Sequence, residues 1–259
     1  MMKTIGILGG LGPAASSRLY DMLIRMRQVT CDQDHPDVIL YSKASVPDRT
    51  AFLLGNSDVS PLPALIGGLQ TLQAAGAHVL AMPCATAHHF YDELQAAVDI
   101  PLLNMLALTA QHLAANGITC AGLLCTLGSY HSGAFVRALQ AQGIEVFLPD
   151  NTHAVMDVIN AVKLGAEVDP PATSVTSPPP CRGASGDNLK LPLCQGPPSR
   201  GDVAQRQGGS LSRLAQPLLQ RGAQTVILGC TELSLLAEPG EFYTDPMQIL
   251  AKELLRLMR

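Results

Sequence analysis

Two stretches of this chain carry the same punctuation. Gly76-Ala77 leads into a short apolar run that stops at Cys84, and Gly222-Ala223 leads into another that stops at Cys230. In both, the cysteine follows the glycine by 8 residues. A second echo links Ile5-Gly6-Ile7-Leu8-Gly9 with Cys120-Ala121-Gly122-Leu123-Leu124. The runs Ile5–Leu8, Val38–Tyr41 and Val79–Met82 are short and largely apolar, the mark of strands buried on both faces. Between them lie segments with helical periodicity, 14–28 and 62–75. Pro13 suits the first turn of one, and Gly76 closes the other. Strands alternating with helices predict parallel sheets with helices on both faces, and the repeat predicts two similar α/β halves.

The halves differ in length. Gly6 to Cys84 spans 78 residues, whereas Gly122 to Cys230 spans 108. The surplus falls where composition changes: Pro170-Pro171, Pro178-Pro179-Pro180 and Pro197-Pro198 lie among many Ser and Gly between Glu167 and Gly209. Little apolar periodicity survives there, so 167–209 is expected to be a disordered insertion. The 259 residues are 47% hydrophobic, enough for a core, but only 4% aromatic with no Trp. Leu, Val, Ile and Ala must therefore fill it. A net charge of −4 without a basic run argues against a nucleic-acid partner. No apolar run approaches the roughly 20 residues of a membrane span. Residues 1–10 read as a first strand rather than a secretory leader. Seven cysteines with no CxxC pair point to reduced thiols and a cytoplasmic location.

Ligands of open α/β sheets bind beyond the carboxyl ends of the strands, where both Cys84 and Cys230 fall. Each is followed by residues expected to open a helix, whose positive end favours a thiolate. A lone free cysteine is ordinarily a small core residue. Two at matched strand ends point to chemistry. Racemisation needs one acid/base on each side of a carbon, and a thiol with a pKa of about 8.5 serves near neutral pH.

Gly10 and Gly12, in Gly9-Gly10-Leu11-Gly12-Pro13, are candidate carboxylate contacts through backbone N–H groups. A plain tight turn is the competing reading. Gly10-x-Gly12-x-x-Ala15 also fits a loose dinucleotide fingerprint, but no acidic residue ends the second strand. Thr86, Thr126, Ser129 and Thr231 are candidate carboxylate donors or plain helix caps. Arg49 and Lys163 are cations in or beside loops. His88 is a candidate acid or orienting group beside Cys84. It has no partner at ligand spacing, so no metal site is expected.

These segments resemble the cofactor-independent aspartate/glutamate racemases, within them the aspartate racemase branch. Ile5–Pro13 is similar to the opening motif of that branch, and Pro47-Asp48-Arg49-Thr50 to its PDRT loop. Met82-Pro83-Cys84-Ala85-Thr86-Ala87-His88 resembles its first cysteine motif, and Leu228-Gly229-Cys230-Thr231-Glu232-Leu233 its second. Thr244-Asp245-Pro246-Met247 resembles its late turn. The resemblance covers nearly the whole chain outside 167–209. It implies two pseudo-symmetric three-layer α/β domains, each with a mainly parallel sheet, spanning 1–103 with 240–259 and 104–239. The active site would lie in the cleft between them, in a homodimer without pyridoxal phosphate or other cofactor.

By the same resemblance, Cys84 and Cys230 are the paired acid/base residues. Thr86 and Thr231, with the Gly10–Gly12 loop, hold the α-carboxylate, and Thr126 and Glu232 also contact substrate. Arg49 and Lys163 hold a side-chain carboxylate, two cations that suit aspartate. Two departures stand out. Ala85 replaces the family's Asn, a lost contact of about 1–3 kcal/mol. The insertion begins a few residues after Lys163. The expected function is interconversion of L- and D-aspartate, with a small acidic amino acid as partner and neither nucleic acid nor membrane. The alternatives are a related thiol-dependent racemase or isomerase acting on glutamate or another acidic substrate, and a non-catalytic ligand-binding descendant. A nicotinamide-dependent dehydrogenase is more distant.

Overall fold

The computed structural model describes residues 3–165, 200–237 and 242–258, with side chains from 209 onward in the second stretch. The chain opens with β1 (Ile5–Gly9), α1 (Pro13–Met26), β2 (Val38–Ser42), α2 (Arg49–Leu53), α3 (Leu62–Ala74) and β3 (Val79–Ala81). Helices α4 (Tyr91–Ala96) and α5 (Met105–Ala115) lead to the second half. That half holds β4 (Cys120–Leu124), α6 (Leu127–Ser132), α7 (Ala134–Gln140), β5 (Glu145–Phe147), α8 (Thr152–Lys163), α9 (Arg200–Gln220) and β6 (Thr225–Leu228). The short β7 (Tyr243–Thr244) and α10 (Pro246–Leu257) close the described chain. No helix among the described residues is long and apolar enough to cross a membrane.

The strands form two parallel sheets, ordered β2-β1-β3 and β5-β4-β6-β7. The central strands β1 and β4 are the two that echo each other in sequence, and β3 and β6 flank them equivalently. The likeness extends to the edge: a parallel bridge between Leu80 and Leu102 lies beside β3 where β7 lies beside β6. β7 pairs with β6 at Val226–Tyr243 and Ile227–Thr244, so the chain stays with the second sheet as far as Thr244.

Every residue of β1 is buried, because each face of its sheet carries a helix. Leu19 and Leu23 of α1 cover Ile5 and Ile7 on one face. Leu65, Leu69 and Leu72 of α3 cover Leu8 and Leu80 on the other. The second sheet is sandwiched likewise, with Phe135 and Leu139 of α7 on Ala121 and Leu123. Leu211, Ala215 and Leu218 of α9 join Val155 and Ile159 of α8 on Leu124, Val226 and Leu228.

The expected insertion lies outside the described residues as far as 199. From Arg200 the chain is already helical, so 200–209 belongs to α9 and not to an unstructured stretch. Residues 202–207 are free of Pro and rich in helix formers, and the helix runs on through Gly208-Gly209.

Candidate active site

The chain beyond β3 and the chain beyond β6 open into one tight cavity of about 10 Å³, room for little more than a single water, lined by both Cys84 and Cys230. Cys84 is reached by a sharp turn in which its N–H returns to the Met82 carbonyl at 2.8 Å. Thr231 staples the two cysteine segments together: its hydroxyl donates to the Pro83 carbonyl at 3.1 Å, across 148 residues of chain. Both thiols are buried, and neither forms a disulfide. The same cavity is lined by Arg49, Ala85, Thr86, Thr126, Lys163 and Glu232. Gly10 and Gly12 line a wider chamber of about 220 Å³, which shares Leu11, Asp48, Arg49, Lys163 and Glu232 with the first.

The expected helix openings take a different form. Cys84 is followed by a 3-10 turn over Thr86–Phe90, and Cys230 by one over Leu233–Leu235. Such short turns carry little of the aligned dipole of a long helix. The Cys230 thiol is accordingly not driven towards thiolate. Burial, reinforced by the Glu232 carboxylate, pushes it well above the ordinary range, against a smaller pull from Lys163. Its Sγ donates to Glu232 Oε2 at 2.9 Å. Glu232 is the only acid in the buried set of the described residues. Its proximity to Cys230 is invisible in the spacing, because two residues past a strand can point anywhere.

Three buried hydroxyls form a closed triangle across the halves. Thr86 Oγ1 lies 2.9 Å from Thr126 Oγ1 and 3.0 Å from Ser129 Oγ, and Thr126 donates to Ser129 at 3.0 Å. Thr126 is also the cap of α6, accepting from the Ser129 N–H. Thr86 caps nothing, so its hydroxyl serves the triangle.

The glycine loop is organised inward. Gly10 N–H donates to Ser16 Oγ at 3.0 Å, and Leu11 C=O accepts from Arg49. The Gly10 amide is therefore occupied, which is the tight-turn reading for that residue. Both glycines have positive φ, 84° and 153°. A side chain at Gly10 would strike the Lys43 backbone, and one at Gly12 would strike Glu232 Oε1.

Arg49 is anchored rather than free. Its Nη2 donates to Leu11 O at 2.7 Å, and its Nη1 to Pro47 O at 3.2 Å and Val46 O at 3.4 Å, while Nε is buried without a partner. Lys163 ends α8 and is exposed at the mouth of the cleft. His88 resolves as an orienting group. Met105 N–H donates to its Nε2 at 3.2 Å, which leaves the proton on Nδ1 to donate to Cys84 O at 2.8 Å. With both ring nitrogens committed to backbone, His88 fixes Cys84 and has no face left for acid chemistry.

Two matched parallel-sheet halves each deliver one buried thiol to a shared cleft. The chain belongs to the Asp/Glu/hydantoin racemase family, whose model matches residues 8–175. It is 29% identical over 164 residues, 61% of this chain and 70% of the other, to the broad specificity amino-acid racemase RacX of Bacillus subtilis. Its fold is shared with an aspartate racemase of Picrophilus torridus (TM-score 0.76, 24% identity, covering 99% of this chain and 94% of the other). A glutamate racemase of Bacillus anthracis has the same fold at greater distance (TM-score 0.56, 17% identity, covering 99% and 81%).

Proposed function

We propose that this protein interconverts L- and D-aspartate without a cofactor, by proton transfer at Cα between Cys84 and Cys230. The observation that carries the reading is the placement of one buried thiol from each half in a single cavity. One sulfur, as thiolate, takes the α-proton and becomes a thiol. The other, as thiol, gives its proton to the opposite face of the carbanion and becomes the thiolate. Cys230 rests protonated, so catalysis from one enantiomer begins with Cys84 as base. In the reverse sense the Cys230 thiolate takes the α-proton and the Cys84 thiol gives its proton to the opposite face. The hydroxyls of Thr86 and Thr126 turn from each other to the α-carboxylate. Lys163 and Arg49 Nε hold the side-chain carboxylate. The reaction needs both sulfurs reduced, which suits the cytoplasm.

The test is incubation with L-aspartate in D2O under reducing conditions, following the α-proton by NMR and the D-isomer by chiral chromatography. Deuterium incorporation with D-aspartate appearing is expected. Cys84→Ala and Cys230→Ala should each lower racemisation by about 10²–10⁴-fold. Full racemisation by both variants would overturn the two-thiol mechanism.

A second reading is a racemase of wider substrate range. It is favoured by the commitment of both Arg49 Nη atoms to backbone carbonyls, by Ala85 in the wall, and by the wider chamber beyond. Exchange measured with glutamate, lysine and leucine beside aspartate separates the two readings.

A further inference from the structure

We propose that Asp245 is a positioning residue: through Ser234 it clamps the far end of the turn that carries Cys230, and so sets where that sulfur stands in the cleft. The clamp takes its catalytic meaning from the racemase reading. Neither Asp245 nor Ser234 lines the inner cavity or the outer chamber, so neither touches a ligand there. Cys230 stands between the end of β6 at Leu228 and the 3-10 turn Leu233–Leu235. A single 3-10 turn has poor hydrogen-bond geometry and holds its own shape weakly. Ser234, in the middle of that turn, is 3% exposed. Its hydroxyl donates to Asp245 Oδ1 at 2.7 Å, 11 residues further along the chain. That is the short bond expected of a hydroxyl on a carboxylate.

Asp245 is itself held from both sides. Before it, β7 pairs with β6, Val226 with Tyr243 and Ile227 with Thr244, and Thr244 Oγ1 lies 2.9 Å from Thr225 Oγ1. After it α10 begins, and Asp245 caps that helix by accepting from the Met247 N–H at 2.9 Å. A cap needs only such an N–H. The Ser234 bond is additional, and it lands on the same oxygen. The strand that leads to Cys230 and the turn that follows it are therefore both fastened to one stretch, 243–245. Helix α10 carries the frame further, because it packs on α1, whose first turn follows Gly12 against Glu232. With its two ends fixed, the segment 229–232 cannot drift along the cleft. The inner cavity holds little more than a water, and in so tight a site a displacement of about 1 Å costs up to about 10²-fold in rate.

The experiment compares the wild type with Ser234→Ala, Asp245→Ala, Asp245→Asn and Leu254→Ala. Each is read by steady-state racemisation and by iodoacetamide labelling of the native protein, followed by peptide mass spectrometry. Ser234→Ala breaks the clamp and spares the cap, so it should lower kcat about tenfold and move KM by less than about threefold. Asp245→Ala should lower kcat at least as far, and Ser234→Ala serves if that variant does not fold. Asp245→Asn keeps an oxygen for both donors and should stay within about threefold of the wild type. Leu254→Ala weakens α10 in its core and away from the turn, so it should lower Tm and leave kcat unchanged well below the transition. Labelling should accelerate at Cys230 over the buried Cys84 and Cys125 in the two clamp-breaking variants. Wild-type kcat in both of those variants overturns the clamp. So does acceleration shared equally by the three cysteines, the pattern of a merely structural role. A wild type that exchanges no α-proton with any amino acid overturns the racemase reading alone. Selective labelling of Cys230 then still upholds the clamp, and uniform labelling overturns it.

Discussion

Cys230 and His88 show how neighbours decide what a titratable side chain does. At Cys230 the carboxylate of Glu232 adds to burial in holding the proton on sulfur. Glu232→Gln should therefore let that thiol ionise at lower pH. Iodoacetamide labelling at pH 8, read by peptide mass spectrometry, should accelerate at Cys230 and not at the exposed Cys31. His88 is held below its ordinary value of 6.5, first by burial. Between 6.5 and the lower folded value, an unfolded chain binds a proton there that the folded chain does not. The associated stability is present above pH 6.5 and lost as the pH falls from 6.5 to the folded value. Urea melts at pH 7 and pH 5.5 should show a smaller difference for His88→Gln than for the wild type. The substitution itself should cost about 1–3 kcal/mol by leaving the Cys84 carbonyl or the Met105 amide unpaired. Cys84 and Cys230 were legible as a pair because strand-end position is a local property. The Cys230–Glu232 contact was not, because it depends on how the chain turns after β6.

At the scale of elements, the site is made by close approaches between halves. Helix α6 packs on α2 at Gly128, where an added Cβ would stand 2.8 Å from Thr50 Cα, a backbone atom that cannot swing away. Gly128→Ala should cost about 1–3 kcal/mol and lower racemisation, because Thr50 lines the cleft and Thr126, two residues earlier, belongs to the hydroxyl triangle. Equal stability and activity in the variant, by urea melt and D2O exchange, would contradict this account. The alternation of strands and helices was readable because buried parallel strands are apolar throughout. The turns after each cysteine were misread as helix openings, because Ala-Thr-Ala-His suits either a helix or a 3-10 turn. The sharp bend at Pro83 selects the turn.

At the scale of the molecule, one apolar cluster runs through both halves. It contains Ile5 and Ile7 of β1, Ala121 and Leu123 of β4, and Met247, Leu250 and Leu254 of α10. Helix α10 packs on α1 and on α5, and so ties the first sheet to the helix that leads into the second. Halves joined through a shared core should unfold together. Scanning calorimetry should give a single transition, whereas two resolved transitions would mean independent halves. Leu254 is fully buried, and Leu254→Ala should cost about 2–5 kcal/mol and lower that one transition without splitting it.

The sequence by itself determined the two-sheet plan, the pairing of the cysteines and the cast of polar residues around them, because burial on both faces and strand-end position leave their mark along a few consecutive residues. Tertiary structure alone decided the state of those residues. It closed the Thr86, Thr126 and Ser129 hydroxyls into a triangle, turned both Arg49 Nη atoms onto backbone carbonyls, and set Glu232 beside the Cys230 thiol with one oxygen unpaired. Each is a contact between residues whose side-chain directions are set by packing, and packing is a property of the assembled halves, not of any stretch of chain.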